Sequence, residues 1–235
     1  MKKRLLFLSL AFNILFIGGA VLAICKIGSP RYLYYLIKHR GQGIAVLQEQ
    51  RADLFKMLPV HKQRIVMLGN SITALCEWAE LLDNPNIINR GIIGDGTDDI
   101  LERLPEVADV EPEKIFLLIG VNDLMTYPTA YILMNYEVIV LSILKTCPKT
   151  KLYLESILPI HHDFRRAGMR NEDIMILNQG IQKLAQTHQL TYIDLHTPMK
   201  DSTNALQTRL SKDGIHLNAA GYQICKDTLK KYISE

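Results

Sequence analysis

RIVMLGNSITAL, residues 64–75, decides how the rest of the chain is read. An apolar run, Ile65-Val66-Met67-Leu68, stops at Gly69-Asn70, and Ser71 follows at once. A short apolar run ended by turn residues predicts a strand buried on both faces. Ser71 then has two readings. It caps the next helix, because a serine oxygen accepts from the first free backbone N–H groups of a helix. Or it is a nucleophile held at the end of a strand. The stretch alone does not separate the two.

Downstream the pattern alternates. Further strands are predicted at 86–91 (NIINRG), 114–120 (KIFLLIG), 151–160 (KLYLESILPI) and 190–196 (LTYIDLH). Helices are predicted over 74–82, 97–107, 130–145, 171–188 and 218–233, with Thr97 capping the second and Ile100, Leu101 and Leu104 facing inward. Strands alternating with helices of this length imply a parallel sheet covered on both faces. At 235 residues and 48% hydrophobic, the chain is long enough for one α/β domain with a sizeable core and an appendage. There are no internal repeats and no low-complexity linkers.

The appendage is N-terminal. Residues 1–60 hold nine Lys/Arg against two Asp/Glu, a net +7, so with +3 overall the remainder sums to −4. The basic character therefore does not describe a nucleic-acid-binding surface on the domain. Lys2-Lys3-Arg4 precede an uncharged run, residues 5–25, which at about 20 residues is enough to cross a bilayer core. Residues 1–28 are expected to be an uncleaved single-pass membrane anchor. The alternative is a signal segment cleaved after Ala23, giving a secreted protein. Leu22-Ala23-Ile24-Cys25 resembles a lipoprotein signal, but with bulky Ile24 where a small residue belongs. The domain is expected outside the cytoplasm, with Tyr32, Tyr34 and Tyr35 near the membrane interface. A helix over 32–57 makes residues 29–58 a juxtamembrane stalk, and the α/β domain spans 59–235. Cys25, Cys76, Cys147 and Cys225 form neither a CxxC pair nor a zinc spacing; the last three read as buried small hydrophobes.

In a parallel α/β sheet, ligands gather beyond the carboxyl ends of the strands. Gly69-Asn70-Ser71 follow the first strand; Gly91, Gly94, Asp95 and Gly96 the second; Asn122 and Asp123 the third. Asp213 and His216 precede the last helix. Ser71 needs a base, and imidazole, with an ordinary pKa of about 6.5, accepts and returns a proton near neutrality. Asp213, three residues before His216, reaches the other ring nitrogen and fixes the tautomer. The backbone N–H groups of Ser71 and Gly94 and the side-chain amide of Asn122 are candidate donors to a tetrahedral oxyanion.

These four ordered blocks, GNS (69–71), NRGIIGDGT (89–97), GVND (120–123) and DGIH (213–216), resemble those of the SGNH/GDSL hydrolase family. The resemblance covers roughly residues 65–232. It implies a flavodoxin-like three-layer α/β/α sandwich and no metal or other cofactor. By position it makes Ser71 the nucleophile, Asp213 and His216 its partners, and Ser71, Gly94 and Asn122 the oxyanion hole. One residue departs: the usual Asp before the serine is Asn70, which keeps an acceptor oxygen. Ser71 is thus expected both to begin the helix and to present its Oγ.

The expected activity is a serine esterase or acylhydrolase acting on a small-molecule, glycan or lipid ester: O-acetyl, lipid acyl or thioester. An O-acyltransferase using the same triad is the alternative, with an inactive membrane-tethered binding module behind it. An α/β-hydrolase is disfavoured because GNSIT lacks the G-x-S-x-G elbow. A metal site at His161, His162 and Asp163 is disfavoured because adjacent residues on an extended segment point to opposite faces. Specificity loops are expected around Trp78, 124–130 and 159–171. Asp95, Asp123 and Arg90 read as structural hydrogen-bonders, and Glu155 as a buried carboxyl.

Overall fold

The computed structural model describes residues 42–161, 163 and 169–235. The apolar run at 5–25, Cys25, the tyrosines at 32, 34 and 35, residues 32–41 of the first expected helix, and His162 lie outside the described residues. Among the described residues no helix is long and apolar enough to cross a membrane. The chain separates into two compact units, Met1–Val46 and Leu47–Glu235. The second holds the whole sheet and residues 47–57 of the helix that the sequence assigns to the stalk.

In chain order the elements are α1 (Gln42–Met57), β1 (Ile65–Gly69), α2 (Ser71–Ala74), α3 (Trp78–Leu81), β2 (Ile87–Gly91), α4 (Thr97–Asp109), β3 (Lys114–Leu118), α5 (Thr129–Thr146), β4 (Lys151–Glu155), α6 (Asn171–Thr187), β5 (Thr191–Ile193) and α7 (Ala219–Ser234). The strands form one parallel sheet in the order β2-β1-β3-β4-β5. That is the flavodoxin-like order. Alternate residues of the buried strands feed two cores. Val66, Leu68, Ile115 and Leu117 pack under α4, α5 and α6. Ile65, Met67, Phe116 and Leu118 pack under α7 with the short α2 and α3. The expected three-layer α/β/α sandwich is present.

Two of the differences from the expected elements trace to side-chain amides. The predicted helix over 74–82 is two short helices. Asn89 on β2 donates to the carbonyls of Thr73 and Cys76, both at 2.9 Å, and occupies acceptors that a continuous helix would use. The predicted strand over 151–160 ends at Glu155. Residues 157–160 stay buried, but their backbone pairs with side chains of α6. Asn178 accepts from the Ile157 N–H at 2.7 Å and donates to its carbonyl at 2.9 Å, and Asn171 treats Ile160 the same way at 2.9 and 2.8 Å. Buried backbone groups must find partners, and an amide that both donates and accepts mimics a neighbouring strand. On the other face, buried Lys114 of β3 donates to the carbonyls of Tyr232 and Ile233 at 3.1 and 2.8 Å, placing a cation at the negative end of α7.

Glu155 ends β4 with its side chain buried and one carboxyl oxygen unpartnered among the described residues. Burial pushes its pKa up from 4.5 to about 8. A folded pKa above the unfolded one contributes stability that is full below the unfolded value and lost as pH rises through the folded value. Wild-type stability should therefore decline between about pH 5 and about pH 8, whereas Glu155→Gln, with no charge to bury, should decline less and unfold at a higher temperature above about pH 8. Thermal unfolding midpoints of both proteins across this range check it; parallel curves would contradict it.

Candidate active site

β1 lies between β2 and β3, and the chain leaves β1 and β3 toward opposite faces of the sheet. A crevice opens where such connections part. Gly69-Asn70-Ser71 and Gly120-Val121-Asn122-Asp123 flank it.

Asn70, not Ser71, caps α2: its Oδ1 accepts from the Ile72 N–H at 3.0 Å. Ser71 is the first helical residue, so its hydroxyl is not consumed by the cap. Its Oγ lies 3.0 Å from His216 Nε2. His216 Nδ1 lies 2.6 Å from Asp213 Oδ2. A ring nitrogen facing a carboxylate carries the proton, so Nε2 is the acceptor for the Ser71 hydroxyl. Asp213 is itself held: its Oδ1 accepts from the backbone N–H groups of His216 and Ile215, at 2.8 and 3.1 Å, and from the Ser211 hydroxyl at 3.1 Å. Desolvation pushes the Asp213 carboxyl up, but the hydrogen bonds from the His216 side chain and from these two N–H groups outweigh it and hold the group well below the carboxylate range. It stays an anion at any working pH. Ser71 is buried while the side chains of His216 and Asp213 are 31% and 54% exposed, so the serine is approached across the imidazole.

Gly94 sits in a turn closed by the Asp95 N–H donating to the Ile92 carbonyl at 3.3 Å. Its φ of +91° is what the third position of a type II turn requires, and a side chain there is strained. The Asn122 amide donates to the Asp95 carbonyl at 2.9 Å, which brings Asn122 beside Gly94. The residues read as structural behave so. Asp123 accepts from the Thr97 N–H and hydroxyl at 2.8 and 2.6 Å. Asp95 meets Arg103 at 2.8 Å; Arg90 meets Glu106 at 3.1 Å and covers the Phe55 ring. Thr97 is not the cap of α4: Gly96 holds that position and its N–H donates to Asp99 at 2.7 Å.

Further residues join those that the sequence reading names. Trp78, around which a specificity loop is expected, is itself buried, donates to the Thr73 carbonyl at 2.8 Å and meets Tyr222 edge-on. Ser211, Arg103 and Tyr222, whose hydroxyl donates to the Ile72 carbonyl at 2.8 Å, support the site and were not foreseen. Only Arg103 carries a signal: it falls on the inward phase of α4, one turn after Ile100. A groove of about 340 Å³, lined by Arg51, Ala74, Glu77, Gly91 and Ile93 among others, adjoins α2 one turn beyond Ser71. Among the described residues no three His, Cys, Asp or Glu side chains are arranged to hold a metal ion.

A flavodoxin-like sheet with a serine, an imidazole and a carboxylate aligned at its switch point defines a class of α/β enzymes acting on esters. The chain belongs to the GDSL-like lipase/acylhydrolase family, whose sequence model matches residues 67–224. It is 26% identical over 170 residues to the platelet-activating factor acetylhydrolase IB subunit alpha2 of Rattus norvegicus, covering 69% of this chain and 72% of that one. A solved structure from Streptococcus pneumonia carrying the name platelet activating factor superposes with a TM-score of 0.75 at 30% identity, over 85% of this chain and 99% of that one. A GDSL-like lipase from Bacteroides thetaiotaomicron superposes with a TM-score of 0.70 at 25% identity, over 80% and 97%. The chain is accordingly a hydrolase acting on esters.

Because Asn70 supplies the cap, Asn70→Ala should lower stability by about 1 kcal/mol. Urea unfolding reads this directly, and an unchanged midpoint would show that the α2 terminus does not depend on Asn70.

Proposed function

We propose that the chain is a serine esterase that cleaves its substrate through an acyl-enzyme on Ser71. The observation that carries this reading is the line from Ser71 Oγ to His216 Nε2 at 3.0 Å and from His216 Nδ1 to Asp213 at 2.6 Å. Nε2 takes the hydroxyl proton as Oγ attacks the ester carbonyl. The carbonyl π electrons move to oxygen, and the Ser71 and Gly94 N–H groups with the Asn122 amide receive the negative charge. One Asn122 amide hydrogen is committed to the Asp95 carbonyl, leaving the other for the substrate. The imidazolium, steadied by Asp213, returns its proton to the departing alcohol. Water, activated by the same nitrogen, then repeats the attack on the acyl-enzyme and releases the acid. No step calls for a metal or cofactor. The name of the rat relative favours an acetyl or other short acyl group.

With p-nitrophenyl acetate, Ser71→Ala should lose activity by roughly 10³-fold or more while remaining folded. Asn122→Ala should lose roughly 10²–10³-fold in kcat with KM little changed, because its amide matters most as charge develops. Normal turnover by the Ser71 variant would overturn the mechanism. A raised KM at constant kcat would make Asn122 a ground-state contact.

Residues 1–28 are proposed as the membrane anchor, with the hydrolase unit outside the cytoplasm, on the length and lack of charge of residues 5–25. Full-length protein should fractionate with membranes and be cut by protease added to spheroplasts. Recovery in the soluble fraction would remove the anchor, and protection in spheroplasts would reverse the orientation.

A further inference from the structure

Arg103 faces inward from α4 with only 9% of its side chain exposed. Its Nη2 donates to the Gly69 carbonyl at 3.1 Å, and its Nε donates to Asp95 Oδ2 at 2.8 Å. One acceptor, Gly69, ends β1 and leads into Ser71; the other, Asp95, lies on the loop that carries Gly94. The Asp95 carbonyl in turn takes the Asn122 amide, and its other carboxylate oxygen accepts from Gln48 of α1 at 3.1 Å. One guanidinium, one carboxylate and one amide therefore connect all three candidate oxyanion donors.

None of the linking groups is part of the serine, imidazole and carboxylate line, and stability is a poor reason for them. Arg103 Nη1 is buried and unpartnered among the described residues, and a buried ion pair generally stabilises no better than apolar side chains of equal volume. What a rigid, two-pronged guanidinium supplies is geometry, and lysine does not reproduce it. Donors aimed at a developing oxyanion act only if their spacing is set beforehand. We propose that Arg103, Asp95 and Gln48 form a positioning network that sets the spacing of the Ser71, Gly94 and Asn122 donors, so that α1 is a working part of the hydrolase as well as a link to the N-terminal segment. The inference rests on the esterase reading of Ser71.

The test compares full-length wild type with Gln48→Ala and Arg103→Lys, using Asp53→Asn on the exposed face of α1 as control. For each, kcat and KM are measured with p-nitrophenyl acetate, and Ki with phenylboronic acid, which forms a tetrahedral adduct on a serine. Gln48→Ala should lower kcat about 3- to 10-fold and Arg103→Lys about 10- to 100-fold, fractions of the loss of a whole donor. Ki should rise by the same factors while KM stays within about twofold, and the control should match wild type. A purely structural role lowers the active fraction, which reduces apparent kcat and leaves Ki alone. That result, or unchanged kcat in both variants, overturns the proposal. If Arg103→Lys does not fold, Gln48→Ala decides by the same criteria. A wild type inert toward both ester and boronate would instead refute the esterase reading, and this inference with it.

Discussion

At the end of β1 the backbone of Gly69 runs against the end of β3 with no space for a side chain. A Cβ there would stand 2.4 Å from the Leu118 carbonyl oxygen and as close to the Thr73 hydroxyl. Strand, neighbouring strand and the following helix all meet at bare backbone. The chain must turn at once, Asn70 closes the turn by capping α2, and Ser71 is left as the first helical residue with its hydroxyl free. Any side chain at position 69 would push β1 from β3, and with them Ser71 from Asn122, since each follows one of those strands.

Around this contact the protein uses charge in two ways. Asp213 is exposed, yet hydrogen bonds keep it ionised beside His216, an arrangement suited to a proton that must come and go. Arg103 and Asp95 are buried, and burial pushes the Asp95 pKa up to about 6 against the pull of Arg103 and Gln48. Such a pair contributes little net stability and fixes geometry instead. The mobile proton therefore sits at the solvent edge, and the fixed frame sits behind the glycine loops.

The layers and the chemistry were legible for one reason: strand ends in a parallel sheet are where short polar motifs follow apolar runs. Ile65 to Leu68 and the run through Lys114 to Leu118 announce buried strands, and the polar residues after them announce the site. Partners distant in sequence were not legible. Nothing near Asn89 says that its amide splits a helix around Thr73, nor near Asn178 that it stands in for a strand at Ile157. The capping residue stayed open because Asn and Ser compete for it locally, and only the tertiary position of His216 decides which oxygen is free. The burial of Trp78 was not legible either, because a helix of one turn has no periodicity to reveal its inward side.

The central claim is that Ser71 is the nucleophile, and a covalent label tests it most directly. Wild-type protein treated with a fluorophosphonate, digested and mapped by mass spectrometry, should carry a single adduct on the peptide containing Ser71, with the modification on that residue. An adduct on another serine, or none from folded protein that hydrolyses esters, would contradict the account.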